Sequence, residues 1–145
     1  MTDTVVISGA IAPSSCDAVI GAEVWVDQHC VINYEHVNST ILFEHTLDDC
    51  EGEHELRIVM KHKQVSHTQL DNQGAIVQDA VLTVSDLTFD GIDIMQAVTE
   101  LSEYSHDFNG SQSLGTHRFY GDMGCNGIVS MKFTTPVYLW LLENM

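Results

Sequence analysis

The sequence predicts an antiparallel β-sandwich, and three observations carry that expectation. Apolar residues recur with period two rather than 3.6. Asp-Gly and Asn-Gly dipeptides punctuate the chain where turns are needed. No stretch alternates strand and helix in the manner of a parallel α/β fold. With 145 residues, 44% of them apolar, the chain is long enough for one sizeable core and is expected to form a single domain over residues 1–145. About nine to eleven short strands are expected, the density of an all-β sandwich of jelly-roll type, with room for one short helix.

Each element follows from local pattern. Residues 1–7 carry an acid and no basic n-region, so they do not read as a secretory signal; they start the first strand. Val24-Trp25-Val26 and Ile41-Leu42-Phe43 are strand cores. In residues 53–63, Leu56, Ile58 and Met60 point one way while Glu55, Arg57 and Lys61 point the other, the mark of a half-buried antiparallel strand. Asp71-Asn72-Gln73-Gly74 marks a loop. Asp90-Gly91, set between Leu87-Thr88-Phe89 and Ile92-Asp93-Ile94, suits a type I′ hairpin because both central residues need positive φ.

Residues 93–103 admit two readings. One is a helix with Asp93 as N-cap, Gln96 at N3, and Ile94, Val98 and Leu101 on one face. The other, which we prefer, is a strand of Ile92, Ile94, Gln96 and Val98 with a distorted end. Asn109-Gly110 is a further turn dipeptide. Asn126-Gly127 is expected to link a strand around residues 117–120 to one starting at Ile128, with Val129, Met131 and Phe133 inward. Residues 136–142 are apolar on both faces. Read as a strand, they are buried on both sides or covered by another subunit. Val137, Tyr138, Leu139, Trp140, Leu141 and Leu142 are therefore interface candidates.

Charge narrows the function. Asp and Glu outnumber Lys and Arg 21 to 5, for a formal net charge of -16. Nucleic-acid binding needs cations against phosphates, and anionic membranes repel such a chain. No apolar run reaches a membrane span. Partners should be neutral, cationic, or bridged by a divalent metal.

The four cysteines, Cys16, Cys30, Cys50 and Cys125, lack the spacing of a zinc knuckle or redox pair and read as small half-buried apolar residues. A Cys16–Cys50 disulfide would require an oxidising compartment. Among eight histidines no pair falls at i, i+2 or i, i+4, and the zincin-like His54-Glu55 meets Ile58 where a second histidine belongs. His36, His45, His54 and His62 recur every eight or nine residues, a rhythm that could align them as a pH-sensitive face; the simpler reading is surface histidines. Those next to a carboxylate in sequence point to the opposite face of a strand, so they are not dyads. The glycines of residues 121–127 lead into a strand, not a helix, and make a tight connection with positive φ rather than a phosphate loop.

Calcium is the one metal that loop oxygens at the end of a sandwich suit. Its candidates are Asp71, Asn72 and Asp79 around one loop, and Asp90 and Asp93 around the hairpin. The simpler reading is solvated acids on turns.

Several stretches resemble a known group. Glu53-His54-Glu55-Leu56-Arg57-Ile58, Ile76-Val77-Gln78-Asp79, Phe89-Asp90-Gly91-Ile92-Asp93, residues 104–110, residues 119–127 and residues 133–144 resemble small β-sandwich proteins encoded by marine bacteriophages. That resemblance covers roughly residues 53–145. It implies a non-enzymatic virion component, a capsid decoration, fibre or tail module, packing against copies of itself and other virion proteins. A more distant resemblance is to calcium-dependent xylan-binding modules, also jelly-roll sandwiches, in which the metal contacts sugar hydroxyls. It implies the alternative, a calcium-dependent carbohydrate-binding module for surface attachment to glycan. Tyr104, Tyr120, Phe108 and Trp25 are then stacking candidates, although core packing is the preferred reading of Trp25 and Trp140. His106, Asp107 and Asn109 are the polar candidates. A metal-dependent hydrolase built on the histidines has no base–nucleophile spacing behind it.

Overall fold

The structure, a computed structural model, describes residues 3–14, 19–63, 68–70, 72–73, 76–106 and 113–144. In chain order its strands are β1 (Thr4–Pro13), β2 (Gly21–Val26), β3 (His29–Tyr34), β4 (Ile41–Asp48), β5 (Gly52–Lys61), β6 (Thr68–Leu70), β7 (Ile76–Asp79), β8 (Leu82–Phe89) and β9 (Ile92–Asp93). Then come helix α1 (Met95–Leu101), β10 (Glu103–His106), β11 (Gly115–Arg118), β12 (Asp122–Met123), β13 (Gly127–Thr135) and helix α2 (Val137–Asn144).

One sheet runs β12-β8-β1-β4, with β9 paired to β8; a second runs β11-β10-β13-β5-β2-β3; β6 and β7 form a small hairpin. Every pairing is antiparallel. The chain passes repeatedly from one large sheet to the other, so most pairings among the described strands join strands that are not consecutive in sequence. This is the predicted all-β sandwich.

Period two builds the core. Leu56, Ile58 and Met60 of β5 and Val129, Met131 and Phe133 of β13 face inward against Ile7 and Ile11 of β1 and Leu82, Val84 and Phe89 of β8, all buried. Phe89 and Phe133 meet across the sandwich with ring centroids 5.0 Å apart. Burying each such side chain contributes about 1.5–3 kcal/mol, which is why the alternation sets the fold.

The Asp90-Gly91 hairpin forms as expected: Thr88 faces Asp93, Phe89 faces Ile92, and φ is 50° at Asp90 and 80° at Gly91. Four expectations are corrected. Residues 95–101 are helical, because Ile94, Ala97 and Val98 are all buried while Ile92 is exposed, a helical stripe that no strand can present. Ile94 takes the cap position, and Asp93 Oδ1 accepts the Met95 N–H at 2.8 Å.

The C-terminal segment is also a helix. Val137 and Trp140 face inward, three residues apart, while Tyr138, Leu139 and Leu142 are exposed. Asn126-Gly127 does not close a hairpin, since β11 and β13 both pair with β10. Gly127 opens β13 where an added Cβ would collide with the Ser105 carbonyl. Finally, Cys50 is exposed, whereas Cys30 and Cys125 are half-buried; all three are free thiols, and Cys16 lies outside the described residues.

Candidate functional site

Inward residues of β5 alternate with Glu53, Glu55, Arg57, Val59 and Lys61, which face solvent. Neighbouring strands add Glu23 and Trp25 from β2, Ser130 and Lys132 from β13, Glu103 from β10 and Arg118 from β11 to the same outer face. Register fixes one row across it: Arg118, Glu103, Ser130, Arg57, Trp25. The chain has five Lys and Arg. Four of them, Arg57, Lys61, Lys132 and Arg118, lie on this face. The fifth, Lys63, is buried and donates from Nζ to the Gly124 carbonyl at 2.5 Å.

Trp25 is half-buried, between the buried Val24 and Val26. The ring lies on the outer face of the sheet and is not part of the buried core cluster. Its indole N–H donates to Glu23 Oε1 at 2.9 Å, and the Arg57 guanidinium lies 5.5 Å from the ring centroid. Arg57 is anchored in turn by its Nη2 on the Asp27 carbonyl at 2.9 Å, with Nε 3.3 Å from Glu55 Oε1.

Beside this cluster, Lys61 Nζ reaches Glu23 Oε2 at 3.2 Å, Glu35 Oε1 at 3.0 Å and Asn33 Oδ1 at 2.5 Å. The Trp25 N–H holds the Glu23 carboxyl below its ordinary range, with Lys61 adding to the effect against the opposing cost of burial. Burial would depress Lys61, but Glu35 and Glu23 outweigh it and raise the ammonium pKa. At the far end of the row, the Arg118 guanidinium lies 5.0 Å from the Tyr120 ring centroid, with Nε donating to the Thr99 carbonyl at 3.0 Å. Tyr120 is 72% exposed.

The other sequence-predicted ligand residues lie elsewhere. Tyr104 and His106 face inward and are buried. The Tyr104 hydroxyl accepts the Cys125 N–H at 2.9 Å and donates to the Cys125 carbonyl. His106 stacks on His117 with centroids 4.3 Å apart. Asp107, Phe108 and Asn109 lie outside the described residues.

Of the calcium candidates, Asp71 and the Asp79 side chain are also outside them, and Asn72 is exposed in a turn. Asp90 Oδ1 accepts the Val6 N–H at 2.8 Å, and Asp93 Oδ1 is committed to Met95. Both carboxylates serve the main chain. Among the described residues no three His, Cys, Asp or Glu side chains gather to hold a metal ion.

The histidines pair with partners far away in sequence. His54 Nδ1 meets Asp27 Oδ2 at 2.8 Å and Nε2 meets Thr135 Oγ1 at 3.1 Å; His62 Nε2 meets Glu35 Oε2 at 2.6 Å. His29 of β3 stacks on His45 of β4 at 4.8 Å, across the seam between the sheets. Burial and the nearby His29 lower the His45 pKa, against a smaller opposing pull from Asp27. Burial tends to raise the Asp27 carboxyl, but hydrogen bonds from His54 and the Glu55 N–H together bring it below its usual value.

Asp27, His54 and Thr135 share the connectivity of a nucleophilic triad. The chemistry does not follow. Thr135 is buried and its hydroxyl donates to the Cys50 carbonyl, so its proton is not directed at His54. The array clamps the β4–β5 turn to the end of β13.

No described helix is long and apolar enough to cross a membrane. No protein-family model matches the chain, and no curated protein does. A solved selenomethionine form of vCBM60, described with a circular-permutation link between two families of calcium-dependent carbohydrate binding modules, matches with a TM-score of 0.53 at 13% identity, over 88% of this chain and 89% of its own. A vCBM60 complex with galactobiose matches with a TM-score of 0.48 at 13% identity, over 87% and 96%. At that identity the first likeness is one of fold, and it agrees with the sandwich described above.

Proposed function

We propose that the protein is a non-enzymatic carbohydrate-binding module that holds neutral glycan on the outer face of its six-stranded sheet. The observation that carries this reading is Trp25, a half-buried aromatic ring on the outer face of a core strand, braced by Glu23 and Arg57. A pyranose has an apolar face of C–H groups and an edge of hydroxyls. An aromatic ring accepts the first; interleaved carboxylates, guanidinium and amide groups hydrogen-bond the second. Bracing the ring in advance reduces the ordering cost of binding. The face carries nearly balanced charge on a strongly acidic molecule, which suits an uncharged partner. The shared fold with a carbohydrate-binding module supports the reading.

The site proposed needs no metal, because ammonium and guanidinium groups occupy its polar positions. The test is titration calorimetry of neutral gluco-, xylo-, manno- and galacto-oligosaccharides in EDTA. Binding should be retained without calcium and lost in Trp25→Ala. Binding that requires calcium and ignores Trp25→Ala would move the site to the loops.

The phage virion reading rests on the sequence resemblance and on one observation, the exposed Tyr138, Leu139 and Leu142 of α2. A chain that binds no sugar and runs as a closed oligomer in light scattering would favour it.

A further inference from the structure

We propose that Tyr120 and Arg118 form a second aromatic platform, so that the face takes a linear, uncharged glycan lying across the strands rather than a single sugar. This rests on the reading of the sheet face given above and assigns its length and direction. Two observations converge on it. The first is a repeated construction. Each ring carries a guanidinium against it, at 5.5 Å for Trp25 and 5.0 Å for Tyr120. Each guanidinium is tied to a main-chain carbonyl, Arg57 to Asp27 and Arg118 to Thr99, so neither ring is braced by a freely moving chain.

The second observation is placement. Arg118 and Trp25 stand at the two ends of one register row. Four strand-to-strand steps separate them, about 19 Å at the usual strand spacing. That distance is too long for one sugar to bridge. Between the ends lie Ser130, which is small, and Glu103, which offers acceptors for hydroxyls. Tyr120 is 72% exposed, yet its direction is set by the fully buried Phe119 before it and by Gly121 at φ 108° after it. A lone exposed tyrosine would need no explanation; a second arginine-capped ring at the other end of the same row does.

Charge selects the ligand. Lys61 and Arg57 are already paired with Glu23, Glu35 and Glu55, and the chain as a whole stands at -16. Lys132 and Arg118 have no carboxylate partner among the described residues, so it is the repulsive field of the whole acidic chain that disfavours a uronate or sulfated ligand.

The experiment is calorimetry on the full chain with neutral disaccharides and hexasaccharides of the four sugar types above, and with an oligogalacturonate as the charged control. The better-bound hexasaccharide should exceed its disaccharide by about tenfold in affinity, equivalent to about 1.4 kcal/mol. Tyr120→Ala should bring the hexasaccharide down to the disaccharide value and leave the disaccharide unchanged. Tyr120→Phe, which keeps the ring, should retain the ratio, and Trp25→Ala should abolish both.

If long and short sugars bind equally, or Tyr120→Ala leaves the ratio intact while Trp25→Ala removes binding, the extended site is wrong and the sheet-face site survives. Tighter binding of the oligogalacturonate overturns the neutral assignment. No binding by the wild type to any sugar overturns both proposals.

Discussion

Trp140 packs against Phe89 with ring centroids 5.5 Å apart and is 5% exposed, whereas Trp25 turns away from the same core. Replacing Trp140 with alanine should cost about 3–5 kcal/mol, the range for a large aromatic removed from a packed interior. Trp25→Ala should cost about 1 kcal/mol, since the ring lies half-buried on the outer face rather than in the core. Urea denaturation of the two variants checks this, and a Trp25→Ala loss as large as that of Trp140→Ala would place Trp25 in the core. The parity of Trp25 was hard to read from sequence because Val24-Trp25-Val26 is apolar throughout. One signal was available: Glu23 shares the parity of Trp25, and an ionised residue two positions away marks the solvent side. The histidine pairs had no such signal. His54 finds Asp27 and His62 finds Glu35, partners brought together by sheet pairing and invisible to local spacing. Tyr104 and His106 read as ligand candidates from the sequence, but β10 extends through His106 and turns both inward.

The strands with polar residues on one face were legible as elements, and those without such marks were not. In β5 and β13, charged and small polar residues alternate with Leu, Ile, Met and Phe, and the period is unmistakable. The Asp90-Gly91 hairpin was equally clear, because positive φ at two successive residues restricts the choice of amino acids. In α2 the run Val-Tyr-Leu-Trp-Leu-Leu has no polar residue to define a face, so strand and helix fit it equally well. Tertiary contacts decide between them. Val137 and Trp140 share the inward face, the Asn144 side-chain amide donates to the Trp140 carbonyl at 2.8 Å, and Asp49 Oδ1 accepts the Val137 N–H at 2.8 Å. Asp49 thus does for α2 what a local capping residue does elsewhere, but from the β4–β5 turn. Asp49→Ala should destabilise the protein by about 1 kcal/mol, whereas Asp49→Asn, which keeps the acceptor, should lose less than half of that. Thermal unfolding followed by tryptophan fluorescence distinguishes the two. Equal losses would mean that charge, not the hydrogen bond, is what Asp49 supplies.

Across the whole molecule, net charge is segregated: the solvent-facing cations sit on one sheet face and most of the acid excess lies elsewhere. Stability also depends on pH through several individual groups, each with a definite sign. His45 has a pKa below its ordinary 6.5, because burial and the adjacent His29 disfavour the imidazolium more than Asp27 favours it. The unfolded chain therefore binds a proton first, and the stabilisation is complete above pH 6.5 and lost as pH falls through the folded value. Asp27 and Glu23 lie below 3.8 and 4.5, so their contributions are present at neutral pH and disappear only in stronger acid. Lys61 is raised above 10.5, and its contribution is lost as pH rises through that higher value. Acidification also relieves the self-repulsion of a chain at -16, an effect of opposite sign. A comparison at high salt, where long-range repulsion is screened, separates the two. The groups facing His45 are His29 on β3 and Asp27 in the β2–β3 turn, the latter shared with His54 on β5. Removing the imidazole by His45→Gln leaves those groups in place. Between pH 8 and pH 5, the melting temperature of the wild type should fall relative to that of His45→Gln, since only the wild type has a site that the unfolded chain protonates more readily. A difference that stays constant over that range would show that His45 titrates alike in the folded and unfolded states, and the seam between the sheets would then carry no acid sensitivity of its own.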